Sequence, residues 1–138
     1  RQRQMCIRDS DYRDWQVPLG RRFRSLKLWF VLRSYGAEGL RSHIRHHVEA
    51  AESFADRVSD HPKLVLAAPV SLSLVCFSHI DGDDATKALQ EALNSTGEMM
   101  LTHTVLDDKH VLRLSVGGTW TTSTHVERVS ELIDEILG

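Results

Sequence analysis

Arg13, Arg21, Arg22, Arg24 and Lys27 crowd around a single acid, Asp14, and are interleaved with Trp15, Phe23, Trp29 and Phe30. Guanidinium groups among aromatic rings make planar hydrogen bonds to carboxylates and cation–π contacts, so this segment is chemically suited to recognition. Pro18 and Gly20 stand just before helical periodicity begins, which predicts a tight loop entering a helix with its first amides unpaired. Such a helix start can receive an anion or a carboxylate. A buried helix whose arginines snorkel at a protein interface accounts for the same residues. The residues alone leave both readings open.

The other constellations have plainer explanations. His43 and His47 lie one helical turn apart, with His46 beside them, but no carboxylate or Cys at matching spacing completes a metal site. His103 falls on an expected strand and reads as structural. Asp81, Asp83 and Asp84 around Gly82 lack the spaced ligands and closing Glu of a calcium loop, so helix capping is expected. Gly117-Gly118 follows a strand without the Gly-Xaa-Gly-Xaa-Xaa-Gly fingerprint of a phosphate cradle. No nucleophile–base set can be assigned from spacing.

The elements that must position these residues follow from periodicity. Asp11 to Gly20 reads as loop. A first helix from Arg21 to Leu32 carries apolar residues on most sides, too many to face water, and Gly36 is its expected left-handed cap. A second helix over Glu38 to Ser59 has Leu40, Ile44, Val48, Ala51, Ala55 and Val58 on one stripe. Leu64 to Ala68 and Leu72 to Ser78 read as strands separated by Pro69, and Ala85 to Asn94 as a helix facing inward through Ala88, Leu89, Ala92 and Leu93. Met99 to Leu106 and His110 to Val116 form a hairpin, joined by Asp107-Asp-Lys109. Leu112, Leu114 and Val116 alternate there with Val111, Arg113 and Ser115. Thr122 to Leu137 closes the chain as an amphipathic helix through Val126, Val129, Leu132, Ile133 and Ile136. The expected fold class is α+β: a short antiparallel sheet with helices on one face, preceded by a long-helix connection.

Composition agrees with a globular core, at 41% hydrophobic and 26% charged residues in 138. No apolar run is long enough for a membrane span. A net charge of -2 gives no reason to expect nucleic acid, although cations concentrate before Arg57 and acids after Asp81. Two cysteines, with Cys76 inside an apolar run, predict a buried thiol, no disulfide and a cytoplasmic setting. Arg1 to Ser10 lacks both periodicities and reads as non-native sequence of sequencing-adapter type.

Six collinear motifs carry a family resemblance: Asp11-Tyr-Arg-Asp-Trp-Gln16, Pro18-Leu-Gly-Arg-Arg-Phe-Arg-Ser-Leu-Lys27, Leu32-Arg-Ser-Tyr-Gly36, Leu74-Val-Cys-Phe77, Asn94-Ser-Thr-Gly97 and Val111-Leu-Arg-Leu-Ser-Val116. On these the chain resembles the group II pyridoxal-phosphate-dependent decarboxylases of the aromatic-L-amino-acid type, which include dopa, tryptophan and tyrosine decarboxylases. The resemblance implies a C-terminal piece of a fold-type-I subunit. Residues 11–36 would end the large domain's connection and residues 37–138 would form the small C-terminal α+β domain.

It also implies pyridoxal 5'-phosphate as cofactor, an aromatic L-amino acid as substrate and a homodimer with active sites at the subunit interface. The Schiff-base lysine and the other catalytic groups of the family belong upstream, so no catalytic residue is expected in this chain and the piece alone would be inactive. Gly20 matches a substrate-pocket position, Gly in members taking indolic or catechol substrates and Ser in plant tyrosine-type members. Arg13, Arg21 and Arg22 match positions bracing that loop and the subunit contact. Two alternatives stand beside this reading: an aromatic aldehyde synthase on the same fold, and a stand-alone α+β interaction domain whose basic-aromatic helix start binds an acidic partner.

Overall fold

The computed structural model describes residues 22–138. The elements run α1 (Arg24–Asp60), β1 (Leu64–Leu66), β2 (Leu74–His79), α2 (Asp83–Ser95), β3 (Thr102–Leu106), β4 (Lys109–Ser115) and α3 (Ser123–Leu137). The chain divides into two units, Arg1–Glu38 and Gly39–Gly138.

The two expected helices share one helical run, α1, interrupted where Gly36 takes φ 66° and ψ 170°. That backbone region is essentially closed to residues with a Cβ, so the break is written into this one position. Beyond the break, α1 buries His47, Ala50, Ala51, Phe54, Ala55 and Val58. The predicted stripe is corrected at its start: Ile44 is exposed and His47 is buried. The inward face therefore passes through Phe54, whose ring volume outweighs the more regular aliphatic spacing.

The four strands form one antiparallel sheet in the order β1-β2-β4-β3. Two of the sequence motifs pair with each other at its centre, with Val75 opposite Leu114 and Phe77 opposite Leu112. These four side chains share one face, and that face meets Phe54 and Val58 of α1, Leu89 and Leu93 of α2, and Val129 and Ile133 of α3 in a single core. Phe54 and Phe77 contact edge to face with centroids 5.4 Å apart, a favoured aromatic geometry. Cys76, on the opposite side of β2, is a free thiol that is half-buried rather than buried. Val111 is buried as well, so β4 departs from the strict alternation expected of it.

Local chemistry sets the connections. The β3–β4 turn has two residues, Asp107 and Asp108, at φ 49° and 60°, the left-handed pair that matches the twist of a tight hairpin. The expected Asp caps of α2 are corrected: Gly82 occupies the N-cap position, with no side-chain cap bond. Asp83 Oδ1 instead accepts the His110 backbone N–H at 3.0 Å, tying α2 to β4. Ala88, expected inward, is exposed. Asn94 clamps Leu101 from both sides, accepting its N–H at 2.7 Å and donating to its carbonyl at 3.1 Å. Arg128 on α3 makes a two-pronged contact with Glu98 at 2.9 and 3.1 Å and reaches Glu135 at 2.9 Å.

Because Phe77 is fully buried and touches Phe54, Phe77→Ala is expected to cost about 3 to 5 kcal/mol of unfolding free energy in urea denaturation. Val65→Ala, at an exposed position of β1, is expected to cost less than about 1 kcal/mol.

Candidate functional site

The sequence places the candidate site at the start of α1. Gly20, Arg13 and Arg21 lie outside the described residues, so only its helical side is seen. Arg22 is exposed, and its carbonyl accepts the Arg24 N–H at 2.7 Å to begin the helix. Arg22, Phe23, Arg24 and Ser25 line a cleft of about 400 Å³. Downstream, Trp29 and Phe30 meet edge to face at 5.1 Å, and the Arg33 guanidinium lies 5.9 Å from the Trp29 ring centroid. The first turn of α1 holds no acid, so its dipole and its cations act together in favour of an anion.

This end of the helix is apolar on several sides and uncovered. Phe23 is 73% exposed, Phe30 58% and Trp29 53%, and Leu28, Leu32 and Tyr35 are also exposed. A contiguous apolar surface of this kind marks a contact with other protein.

Two of the described lysines are engaged in contacts of their own. Lys63 Nζ donates to the Leu137 carbonyl and Lys87 pairs with Asp84 at 3.6 Å. No lysine is among the described residues lining the Arg22–Ser25 cleft. Among the described residues no group of three His, Cys, Asp or Glu side chains could hold a metal ion.

Two histidines, His47 and His110, have lowered pKa values. His47 is buried, its ring lies 4.2 Å from that of His43, and its Nε2 has no hydrogen-bond partner among the described residues. Burial, then the charges of His43 and His46, hold its pKa below the ordinary value, against the pull of the Thr121 and Gly118 backbone. His103, exposed on β3, stacks on His110 with centroids 4.4 Å apart. Gln90 joins the pair, its Nε2 at 3.3 Å from His103 Nδ1 and its Oε1 at 3.1 Å from His110 Nε2. The amide nitrogen donates to His103 Nδ1 and the amide oxygen accepts from His110 Nε2–H. Desolvation, then His103 and Lys87, push the His110 pKa down, with Asp83 opposing.

The sign of the pH effect follows. With folded pKa values below 6.5, the unfolded chain takes up protons first as pH falls, so stability is intact above about pH 7 and declines below it. The melting temperature is expected to drop between pH 7.5 and 5.5, and to drop less in a His47→Leu/His110→Gln double variant. Histidine NMR titrations should place both midpoints below 6.5; midpoints at or above it would refute the assignment.

Comparison with known proteins identifies the fold. Residues 3–80, more than half of the chain, match the pyridoxal-dependent decarboxylase conserved domain. Phenylacetaldehyde synthase of Arabidopsis thaliana is 44% identical over 132 residues, covering 91% of this chain and 27% of that protein. Tyrosine decarboxylase 2 of Narcissus pseudonarcissus is 42% identical over 132 residues, covering 91% and 26%. The crystal structure of Catharanthus roseus tryptophan decarboxylase in complex with L-tryptophan superposes with a TM-score of 0.80 at 41% identity, over 92% of this chain and 29% of that one. The chain thus spans about a quarter of the length of the relatives it matches. With sequence and fold in agreement, the chain belongs to the pyridoxal-dependent decarboxylase family.

Proposed function

We propose that this chain is the C-terminal part of a pyridoxal-phosphate-dependent enzyme that converts aromatic L-amino acids to amines and carbon dioxide. The observation that carries this reading is the agreement of family match and fold with decarboxylases of aromatic substrates over nearly the whole chain. When bound, the cofactor supplies the electron sink for loss of carbon dioxide. The parent holds the cofactor mainly through residues outside this chain. The piece alone is then inactive, and the parent works in the cytoplasm.

Within this reading residues 11–36 end the large domain's connection and residues 37–138 form the small domain. Gly20 lines the pocket for the substrate ring: without a Cβ it leaves room for an indole or a catechol. Arg13, Arg21 and Arg22 brace the loop and the subunit contact. The exposed apolar start of α1 supports burial against the rest of the parent and a homodimer partner, since Phe23, Leu28, Trp29 and Phe30 are each more than half exposed.

A second reading, an aromatic aldehyde synthase, is favoured by one observation: the relative at 44% identity is a phenylacetaldehyde synthase. Oxidative deamination consumes oxygen and simple decarboxylation does not, so oxygen uptake during turnover of the full-length enzyme separates the two.

In the full-length enzyme, Gly20→Ser is expected to lower the tryptophan-to-tyrosine ratio of kcat/KM about tenfold, as a pocket change of one small group does. An unchanged ratio would remove Gly20 from the pocket. Leu28→Asp/Phe30→Asp is expected to make the 138-residue chain more soluble while driving the full-length enzyme toward monomers in analytical ultracentrifugation. A double variant that still sediments as wild type would place the apolar helix away from the subunit contact.

A further inference from the structure

Two loops meet at one end of the sheet, where β2 begins and β4 ends. Leu74 pairs there with Ser115, and the Val116 N–H donates to the Ser73 carbonyl at 2.8 Å. One loop is the β1–β2 connection, residues 67–73, and the other is the β4–α3 connection, residues 116–122. Each is rooted in the core, through the half-buried Val70 and the buried Val116. Neither contains a charged residue, although charged side chains make up 26% of the sequence. Depletion of charge is the composition of an interface core rather than of a solvated loop.

Each loop presents one large apolar side chain. In the first, Ser71 and Leu74 exchange backbone hydrogen bonds at 3.3 and 3.0 Å around a two-residue turn, where Leu72 takes φ 51° with its side chain 75% exposed. That position of a tight turn favours Gly, Asn or Asp. A leucine there goes against the backbone and the solvent at once, and such violations gather at functional sites. In the second, the Thr121 N–H donates to the Gly118 carbonyl at 3.0 Å, and a Cβ on Gly118 would meet the Thr121 hydroxyl at 2.5 Å, so the turn is tightly closed. The backbone of Gly118 and Thr121 faces the buried ring of His47, and the Thr122 N–H donates to His125 Nδ1 at 3.1 Å as α3 begins. Trp120 stands on this braced turn, 87% exposed. An indole held out on a fixed backbone loses little freedom on binding and is a frequent interface anchor.

We propose that Leu72 and Trp120 are a paired anchor by which the Gly39–Gly138 unit docks onto an apolar, uncharged surface of its own subunit, upstream of this chain. The proposal rests on the reading of the chain as part of a longer parent. The length outside the chain favours that occupant, since the chain covers only 29% of the tryptophan decarboxylase chain on which it superposes. Being tethered, the upstream part meets these loops at a high effective concentration. The contact is additional to the apolar start of α1, which belongs to the other unit.

Hydroxyl-radical footprinting reads both side chains directly, with the urea-unfolded enzyme as the reference for intrinsic reactivity. Leu72 and Trp120 are expected to be oxidised about tenfold more slowly in the folded full-length enzyme than in the 138-residue chain, because a docked anchor is sealed from water. Equal oxidation in the two, or oxidation in the folded enzyme as fast as in the unfolded one, overturns the proposal. Leu72→Asn/Trp120→Ser is expected to leave the melting temperature of the 138-residue chain unchanged or raised, since Asn suits the left-handed turn. The same change is expected to lower the melting temperature of the full-length enzyme, which still sediments as wild type does. An unchanged full-length melting temperature overturns the proposal, and dissociation into monomers assigns the anchor to the partner subunit and overturns it too. Neither result touches the decarboxylase reading, which product analysis of the wild-type enzyme tests separately.

Discussion

The edge-to-face contact of Phe54 with Phe77 is the constraint on which the second unit of this chain depends. It joins the long helix to the central strand of the sheet, and both rings are sealed from water. Because Phe77 pairs with Leu112 and Val75 with Leu114, the same contact sets which face of the sheet is inside. A slip of one residue in that register would turn one strand's two side chains outward. α2 and α3 then cover what remains of the face through Leu89, Leu93, Val129 and Ile133.

The first unit shows the opposite balance. From Phe23 to Tyr35 its large side chains are uncovered, and the cations among them have no acid in the first helical turn. Elementary burial energetics make such a helix a poor independent structure and a good contact surface. Membership in a family whose members are about four times as long accounts for the difference: one unit closes its own core, while the other exposes apolar surface suited to a core formed elsewhere.

Three of the matched motifs have a purely structural explanation. Leu74-Val-Cys-Phe77 and Val111-Leu-Arg-Leu-Ser-Val116 are the paired central strands, and Asn94 in Asn94-Ser-Thr-Gly97 holds the Leu101 backbone by two hydrogen bonds. Their residue types answer to packing and to unpaired backbone groups. The relatives, at 44%, 42% and 41% identity, are named for an aldehyde synthase, a tyrosine decarboxylase and a tryptophan decarboxylase, so overall similarity does not select among these activities.

The sequence by itself determined the order of elements, the antiparallel hairpin, the break at Gly36 and the family, because these rest on local periodicity, backbone preference and collinear motifs. It also marked the basic-aromatic segment, since clustering of charge and rings is visible in one dimension. Only the tertiary structure decided that His47 goes inside while Ile44 stays out, that Asp83 holds a strand rather than capping its own helix, and that Gln90 reads two stacked histidines from neighbouring strands. In each case the deciding partner lies far along the chain, and periodicity carries no record of which distant surface an element will meet.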